Sequence, residues 1–272
     1  REFAAVSFTD PGRFSATAFI NEDYLVERIE SRMPHPVPGD TAVVTVYDAY
    51  RDFDGVRFPT RIQQTQGGFP VLDLAVTEVR PNAPSDIQVP ATVRAFAERV
   101  TTEKAADGVW YLAGASHHSV AIEMKDYLIV VESPLYDGRA APMLEAAKKL
   151  APGKPIRYVV NSHSHFDHAG GLRTALAEGA TLVVQRQSKA YYQKVFANPN
   201  RVSPDAFAKS GRKPKILVVG TKHVLGDGAR TVELHHIKNS IHADTFLMAY
   251  LPKEKLLIEA DAFTPGAPPA NP

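Results

Sequence analysis

The segment Asn161-Ser-His-Ser-His-Phe-Asp-His-Ala-Gly-Gly171 places four potential metal ligands, His163, His165, Asp167 and His168, within six residues. Neutral imidazole and carboxylate are good ligands for zinc and similar divalent ions. The segment follows Ile156-Arg-Tyr-Val-Val160, an apolar run that predicts a strand. Strand-end loops are where sites are built on a rigid scaffold. The plain alternative is a polar turn in which histidines cluster without a ligand. The chain has no cysteine, which excludes disulfides and thiolate ligands, so any metal is held by His and carboxylate.

Around this segment the pattern is that of a layered protein. Residues 109–112, 119–124, 127–132, 156–160, 181–185, 215–219, 231–234, 246–251 and 255–259 predict strands. Residues 140–150 carry Leu144, Ala147 and Leu150 at helical spacing, and helices are also predicted from Gly170-Gly171 to about Glu178 and over 187–196. Strands and helices thus alternate, which argues for α/β architecture over 108–272.

Residues 1–88 read as a β-rich N-terminal domain. Residues 41–47 and 71–79 alternate with a period of two, and Pro38-Gly39, Asp54-Gly55 and Gly67-Gly68 punctuate them as turns. Asp54-Gly55 between two short runs is a hairpin signal. Pro81-Asn-Ala-Pro84 and Pro90 open a linker over 89–107, with a short helix expected within 91–103. No repeat is present, and only the Pro/Ala-rich end is compositionally biased.

The net charge of +1 gives no basic face for nucleic acid. Apolar runs such as 128–131 fall far short of the ~20 residues of a membrane span. The expected partner is a small-molecule substrate, and homo-oligomerisation is left open. Because the chain begins at Arg1, a leading segment is expected to be missing, either a removed signal peptide or another leader.

HxHxDH followed by Gly-Gly resembles the signature of the metallo-β-lactamase superfamily, and the resemblance covers roughly Gly108 to the end. It implies an αββα sandwich, with His163 and His165 on one metal and Asp167 and His168 on a second. It also requires a third histidine for the first metal, for which His235, His236 and His242 are candidates. His242 is selected because Ala-Asp-Thr and then the strand Phe246-Leu-Met-Ala-Tyr-Leu251 follow it. His236 is next. Asp261, in Leu256-Leu-Ile-Glu-Ala-Asp261, matches the carboxylate that bridges both metals, ahead of Glu259. The family places one more histidine beyond that carboxylate, and no histidine follows His242. The C-terminal part of the fold is therefore expected to be truncated, with the second site short of one ligand.

The implied activity is hydrolysis by a metal-activated hydroxide on an ester, thioester, lactone, lactam or phosphodiester bond. The implied cofactor is one or two zinc ions. Asp167 would orient the nucleophile or take its proton. A carboxylate at Asp261 is unlike the β-lactamases that use a Cys ligand. A non-catalytic metal- or ligand-binding scaffold of the same fold is the main rival. A redox protein with iron at the site is a second, although no flavin-type motif is present.

His117 and His118, in Gly114-Ala-Ser-His-His-Ser119, are read either as an ordinary polar turn or as residues that contact substrate or support a metal ligand. Tyr191 and Tyr192 are expected to pack or to lie on the surface, His35 and His223 to face solvent, and Trp110 to anchor a core or a domain interface. Tyr50-Arg-Asp-Phe-Asp-Gly-Val-Arg-Phe-Pro-Thr-Arg61 resembles segments of curved-sheet, lipoprotein-carrier-like domains of the cell envelope. That likeness implies a periplasmic or secreted protein rather than a cytoplasmic one. The N-terminal domain is left as a lid, an interaction surface or a dimerisation element.

Overall fold

The structure, a computed structural model, describes residues 3–11, 14–114 and 116–263. The Pro/Ala-rich end, 264–272, lies outside the described residues. The chain forms two compact units, 1–96 with 198–203, and 97–197 with 204–272.

The first unit is one antiparallel sheet in sequential order: β1 (Ala4–Asp10), β2 (Phe14–Ile20), β3 (Val26–His35), β4 (Gly39–Phe53), β5 (Val56–Gln66) and β6 (Phe69–Ala75). Asp54 and Gly55 both take positive φ, 53° and 83°, in the two-residue turn that joins β4 to β5. Such turns match the right-handed twist of the flanking strands. Asp40 fastens residues 198–203 to this sheet: its carboxylate accepts the backbone N–H of Arg201 at 2.8 Å and of Val202 at 3.1 Å. His35 closes β3, and its Nδ1 accepts the Val37 N–H at 3.1 Å. It is partly buried rather than solvent-facing, and burial lowers its pKa.

The second unit carries the histidine segment. Its larger sheet contains β7 (Thr101–Ala106), β8 (Val109–Ala113), β9 (Ser119–Glu123), β10 (Leu128–Val131), β11 (Ile156–Val160), β12 (Thr181–Gln185) and β13 (Lys215–Val219). From β10 to β13 the strands are parallel, and from β10 back to β7 they are antiparallel. The smaller, antiparallel sheet is β14 (Lys222–Gly226), β15 (Thr231–His236), β16 (Leu247–Leu251) and β17 (Leu256–Ile258). The helices of the chain are α1 (Ala91–Arg94), α2 (Asp137–Leu150), α3 (Phe166–Ala169), α4 (Leu172–Ala177), α5 (Lys189–Ala197) and α6 (Ala206–Ser210).

The two sheets of this unit pack face to face. Ile122, Ile129, Val131, Val160 and Val183 of the larger meet Val232, Leu234, Leu247, Ala249 and Leu251 of the smaller, all buried. Alternation explains the choice: on β15, Val232 and Leu234 point inward while Thr231 and Glu233 point away. The parallel strand β10 is buried on both faces, as parallel strands covered by helices are. On the other side of this sheet α2 covers β10 and α4 covers β11 and β12, with Ala140, Met143, Leu144, Ala147, Leu172 and Leu176 buried. Helix, sheet and sheet succeed one another, three layers of an αββα arrangement.

Several elements differ from the sequence expectations. The helix expected within 91–103 is limited to α1, which buries no residue and so has no packing to extend it. The rest of the expected linker contributes β7, an edge strand paired to β8. His223 lies on β14 and not in a turn, opposite Leu234 of β15. Trp110 is only partly buried, paired with Lys104 and Ala121 across the sheet. Among the described residues no helix is long and apolar enough to cross a membrane.

Candidate metal centre

The histidine segment begins where β11 ends. Asn161 fixes the strand end, accepting the Tyr192 hydroxyl at Oδ1 and donating from Nδ2 to the His168 carbonyl at 3.2 Å. Tyr192 is thus a buried structural residue, while Tyr191 is largely exposed. α3 starts directly after His165 and carries Asp167 and His168 on one short turn. The two glycines that follow are demanded by packing. A β-carbon on Gly170 would lie 1.7 Å from the Leu135 carbonyl oxygen, and one on Gly171 would meet Ala140, Pro134 and Ser133 within 2.8 Å.

Two other loops reach the same place. The turn between β15 and β16 brings His242, and the Leu247 N–H donates to the Ser162 carbonyl at 2.8 Å, joining that turn to the histidine segment. After β17 the chain turns at Asp261, whose φ is 65°. Glu259 holds this turn, accepting the Ala262 N–H at 2.8 Å and the Phe263 N–H at 3.3 Å. Its carboxylate therefore serves the backbone, and Asp261 is the acidic residue facing the histidines.

The side chains converge as two groups. Donor atoms of His163, His165, His242 and Asp261 lie within 4.8 Å of one another, and so do those of His117, Asp167 and His168. His163 Nε2 is 3.0 Å from His165 Nδ1 and 3.0 Å from His242 Nε2. Asp261 Oδ2 stands between the groups, 3.1 Å from His242 Nε2, 3.6 Å from His163 Nε2 and 2.8 Å from His168 Nε2. His168 Nε2 and Asp167 Oδ2 are 3.6 Å apart. Phe246, fully buried, packs against His163 with ring centroids 5.5 Å apart.

His118, in contrast, packs on Tyr111 and accepts the Gly114 N–H at 3.3 Å, and belongs to neither group. His235 pairs with Glu233 at 2.9 Å, and His236 Nε2 lies 2.8 Å from the Asp244 carbonyl. Neither belongs to a donor group.

Glu132 is the residue that sequence reasoning did not single out. It directly follows β10, is buried, and holds His168 Nδ1 at 3.1 Å with one oxygen while accepting the Ser162 N–H at 2.6 Å with the other. A carboxylate closing a fully apolar strand beside β11 was its only signal.

This donor set fits a divalent cation. His163 is buried, and a single proton on its Nε2 cannot serve both nitrogens that face it. The buried Nε2 of His168 has no hydrogen-bond partner, although two carboxylates face it. Burial, reinforced by the neighbouring histidines, pushes the His163 pKa down to about 3, so its imidazole is neutral and able to ligate. Burial alone would lower the His168 pKa, but its bond to Glu132 and the charges of Glu132, Asp261 and Asp167 raise it to about 9, so a cation bound at Nε2 would take the place of a proton there. Burial opposes ionisation of Asp167, yet the His117 hydrogen bond and the nearby His168 hold its carboxyl below the usual range.

A helix-backed pair of sheets with clustered histidines and carboxylates at the strand ends defines a metal-binding protein of the αββα class. The model of the metallo-beta-lactamase superfamily matches residues 113–271, more than half of the chain, and the chain belongs to that superfamily. Among solved structures it is similar to a metallo-beta-lactamase from Pontibacter korlensis, at 16% identity and a TM-score of 0.46, over 58% of this chain and 70% of that one. It is also similar to the flavodiiron protein from Giardia intestinalis, at 21% identity and a TM-score of 0.47, over 61% of this chain and 41% of that one. DIM-1 metallo-beta-lactamase is similar at 16% identity, with a TM-score of 0.45, over 58% of this chain and 67% of that one. The chain thus spans less than half the length of the flavodiiron protein. No curated protein matches it.

Proposed function

We propose that this protein is a metal-dependent hydrolase whose centre takes one or two zinc ions and acts on an ester, thioester, lactone, lactam or phosphodiester bond of a small molecule. The observation that carries the reading is the convergence of imidazole and carboxylate donors on two adjacent points, with Asp261 Oδ2 close to both. In this reading His163, His165 and His242 would hold one ion and Asp167 and His168 the other, with the Asp261 carboxylate within reach of both groups. A divalent ion bound there supplies a Lewis acid and lowers the pKa of water to about 7.

The chain's own residues do the rest. Glu132 fixes the His168 ring so that Nε2 faces the centre. Asp167, ionised and partly exposed, orients water and accepts its proton. Buried Phe246 backs His163 on one side. An exported setting, periplasmic or secreted, belongs to the same proposal. It rests on the likeness of the N-terminal segment to cell-envelope domains, and fractionation of cells expressing the full-length protein checks it.

The test is a panel of lactams, lactones, esters, thioesters and phosphodiesters offered to zinc-reconstituted full-length protein. Chelator-sensitive turnover of at least one class is expected. Asp167→Asn should lower kcat by about 100-fold or more, as loss of a general base does. Turnover indifferent to chelation, or none across the panel, contradicts the proposal.

A further inference from the structure

The loop between β8 and β9 supplies a group that the proposed hydrolytic reading does not need in order to hold its first ion. His117 Nε2 lies 3.0 Å from Asp167 Oδ2. Its ring meets that of His168 edge to face, with centroids 5.5 Å apart. Donor atoms of the three residues fall within 4.8 Å of one another. His117 is held in place. Its φ of 53° is a left-handed conformation that His tolerates better than most residues, and such backbone persists only where its surroundings fix it. Buried Arg139 of α2 donates from Nη2 to the His117 carbonyl at 3.2 Å. Gly114 lets the loop lie on that guanidinium, because a β-carbon there would come within 2.2 Å of it.

A second observation points at the same spot. His168 is buried, and its Nε2 makes no hydrogen bond of good geometry although Asp261 Oδ2 stands 2.8 Å and Asp167 Oδ2 3.6 Å away, so carboxylates and imidazole crowd one point. Glu132 occupies the opposite nitrogen, so Nε2 is the atom presented to a ligand. Among the described residues, Asp167 and His168 alone would give the second ion two donors besides the shared carboxylate. His117 adds an imidazole at the same distance scale.

We infer that His117 is a protein ligand of the second metal, completing a His117, Asp167 and His168 set from a loop 50 residues upstream of Asp167. This rests on the proposed metal centre. It goes beyond a substrate-contact role for His117 by making the β8–β9 loop part of the centre. It also separates the paired histidines, since His118 turns to Tyr111.

The experiment is a titration of metal-free, full-length protein with cobalt(II) and zinc, read by visible absorption and calorimetry, for wild type, His117→Ala and His117→Gln. The wild type should take up two ions. Both variants should keep the first with unchanged affinity and bind the second about 10–100-fold more weakly, the scale on which metal-site partners act. Glutamine separates ligation from orientation: its amide can still hold Asp167 by hydrogen bonding but is a poor zinc ligand. If His117→Gln binds the second ion like wild type, His117 only positions Asp167 and the inference is overturned. A wild type that binds a single ion overturns it too, while leaving the first centre intact. A wild type that binds none overturns the proposed function itself. Should neither variant fold, zinc-edge anomalous scattering from wild-type crystals decides. A second peak about 2.0–2.1 Å from His117 Nε2 is expected, and a second peak beyond reach of that nitrogen contradicts the assignment.

Discussion

His168 has two ring nitrogens, and they face different neighbours. Nδ1 meets Glu132, and Nε2 faces the carboxylates of Asp167 and Asp261. Which nitrogen ligates is set by the bond the other makes. Glu132→Gln should therefore weaken binding of the second ion by about 10–100-fold with little effect on the first, measured by zinc titration against a competing chelator. Equal weakening of both ions would mean that Glu132 serves the fold and not the ring. The histidines and Asp167 were legible in the sequence because ligand spacing is local. Glu132 was not, since it reaches the site through a contact spanning 36 residues, and His117 was legible only as one of two histidines that could contact substrate or support a ligand, its contact with Asp167 spanning 50 residues. Nothing in the immediate neighbours of Glu132 sets it apart, and nothing local chooses between His117 and His118.

Elements were legible where burial leaves its mark on the sequence. α2 shows its burial as helical spacing, and β8, β10, β11 and β12 show theirs as short apolar runs. β7 is exposed along almost its whole length, so no alternation marked it, and only pairing to β8 makes it a strand. α6 was missed because it is a five-residue turn held by tertiary contacts. Asp205 caps it, accepting the Ala208 N–H at 2.7 Å, and pairs with the buried Arg173 of α4. Asp205→Asn should cost about 3 kcal/mol at neutral pH, because it leaves a buried charge poorly compensated. Burial opposes ionisation of Asp205, but Arg173 and the Ala208 N–H outweigh it, so its carboxyl titrates below the usual value of 3.8. A depressed folded pKa gives stability that is present above 3.8 and lost as pH falls through the folded value. The difference between wild type and variant in urea unfolding should therefore be full at pH 7 and shrink in strong acid. A difference independent of pH would point to the cap alone. Gly170→Ala should destabilise the metal-free protein by about 3 kcal/mol, since the close Leu135 carbonyl must shift. An unchanged urea midpoint would show that the two loops do not need this approach.

For the whole molecule, the sandwich places three separate stretches of chain at one end: the exit of β11, the β15–β16 turn and the residues after β17. A ligand that binds all three ties the two sheets together and stabilises the folded state. At a zinc concentration about 100 times Kd the gain is about 2.7 kcal/mol. For a unit of this size that corresponds to a rise in Tm of roughly 5–10 °C, read by scanning calorimetry. His163→Ala should abolish the rise. The superfamily was legible because HxHxDH and the downstream His242 and Asp261 fall in the order the fold needs. The reaction was not, because the bond attacked is chosen by whatever surrounds the centre, and no local spacing encodes that.

The most direct test of the central claim is elemental analysis of full-length protein stripped with a chelator, reconstituted with zinc and freed of excess metal. About two zinc per chain are expected in the wild type, with loss of the first-centre ion in His163→Ala. Wild-type protein that retains no stoichiometric zinc, or a His163→Ala variant with undiminished zinc content, would contradict that claim.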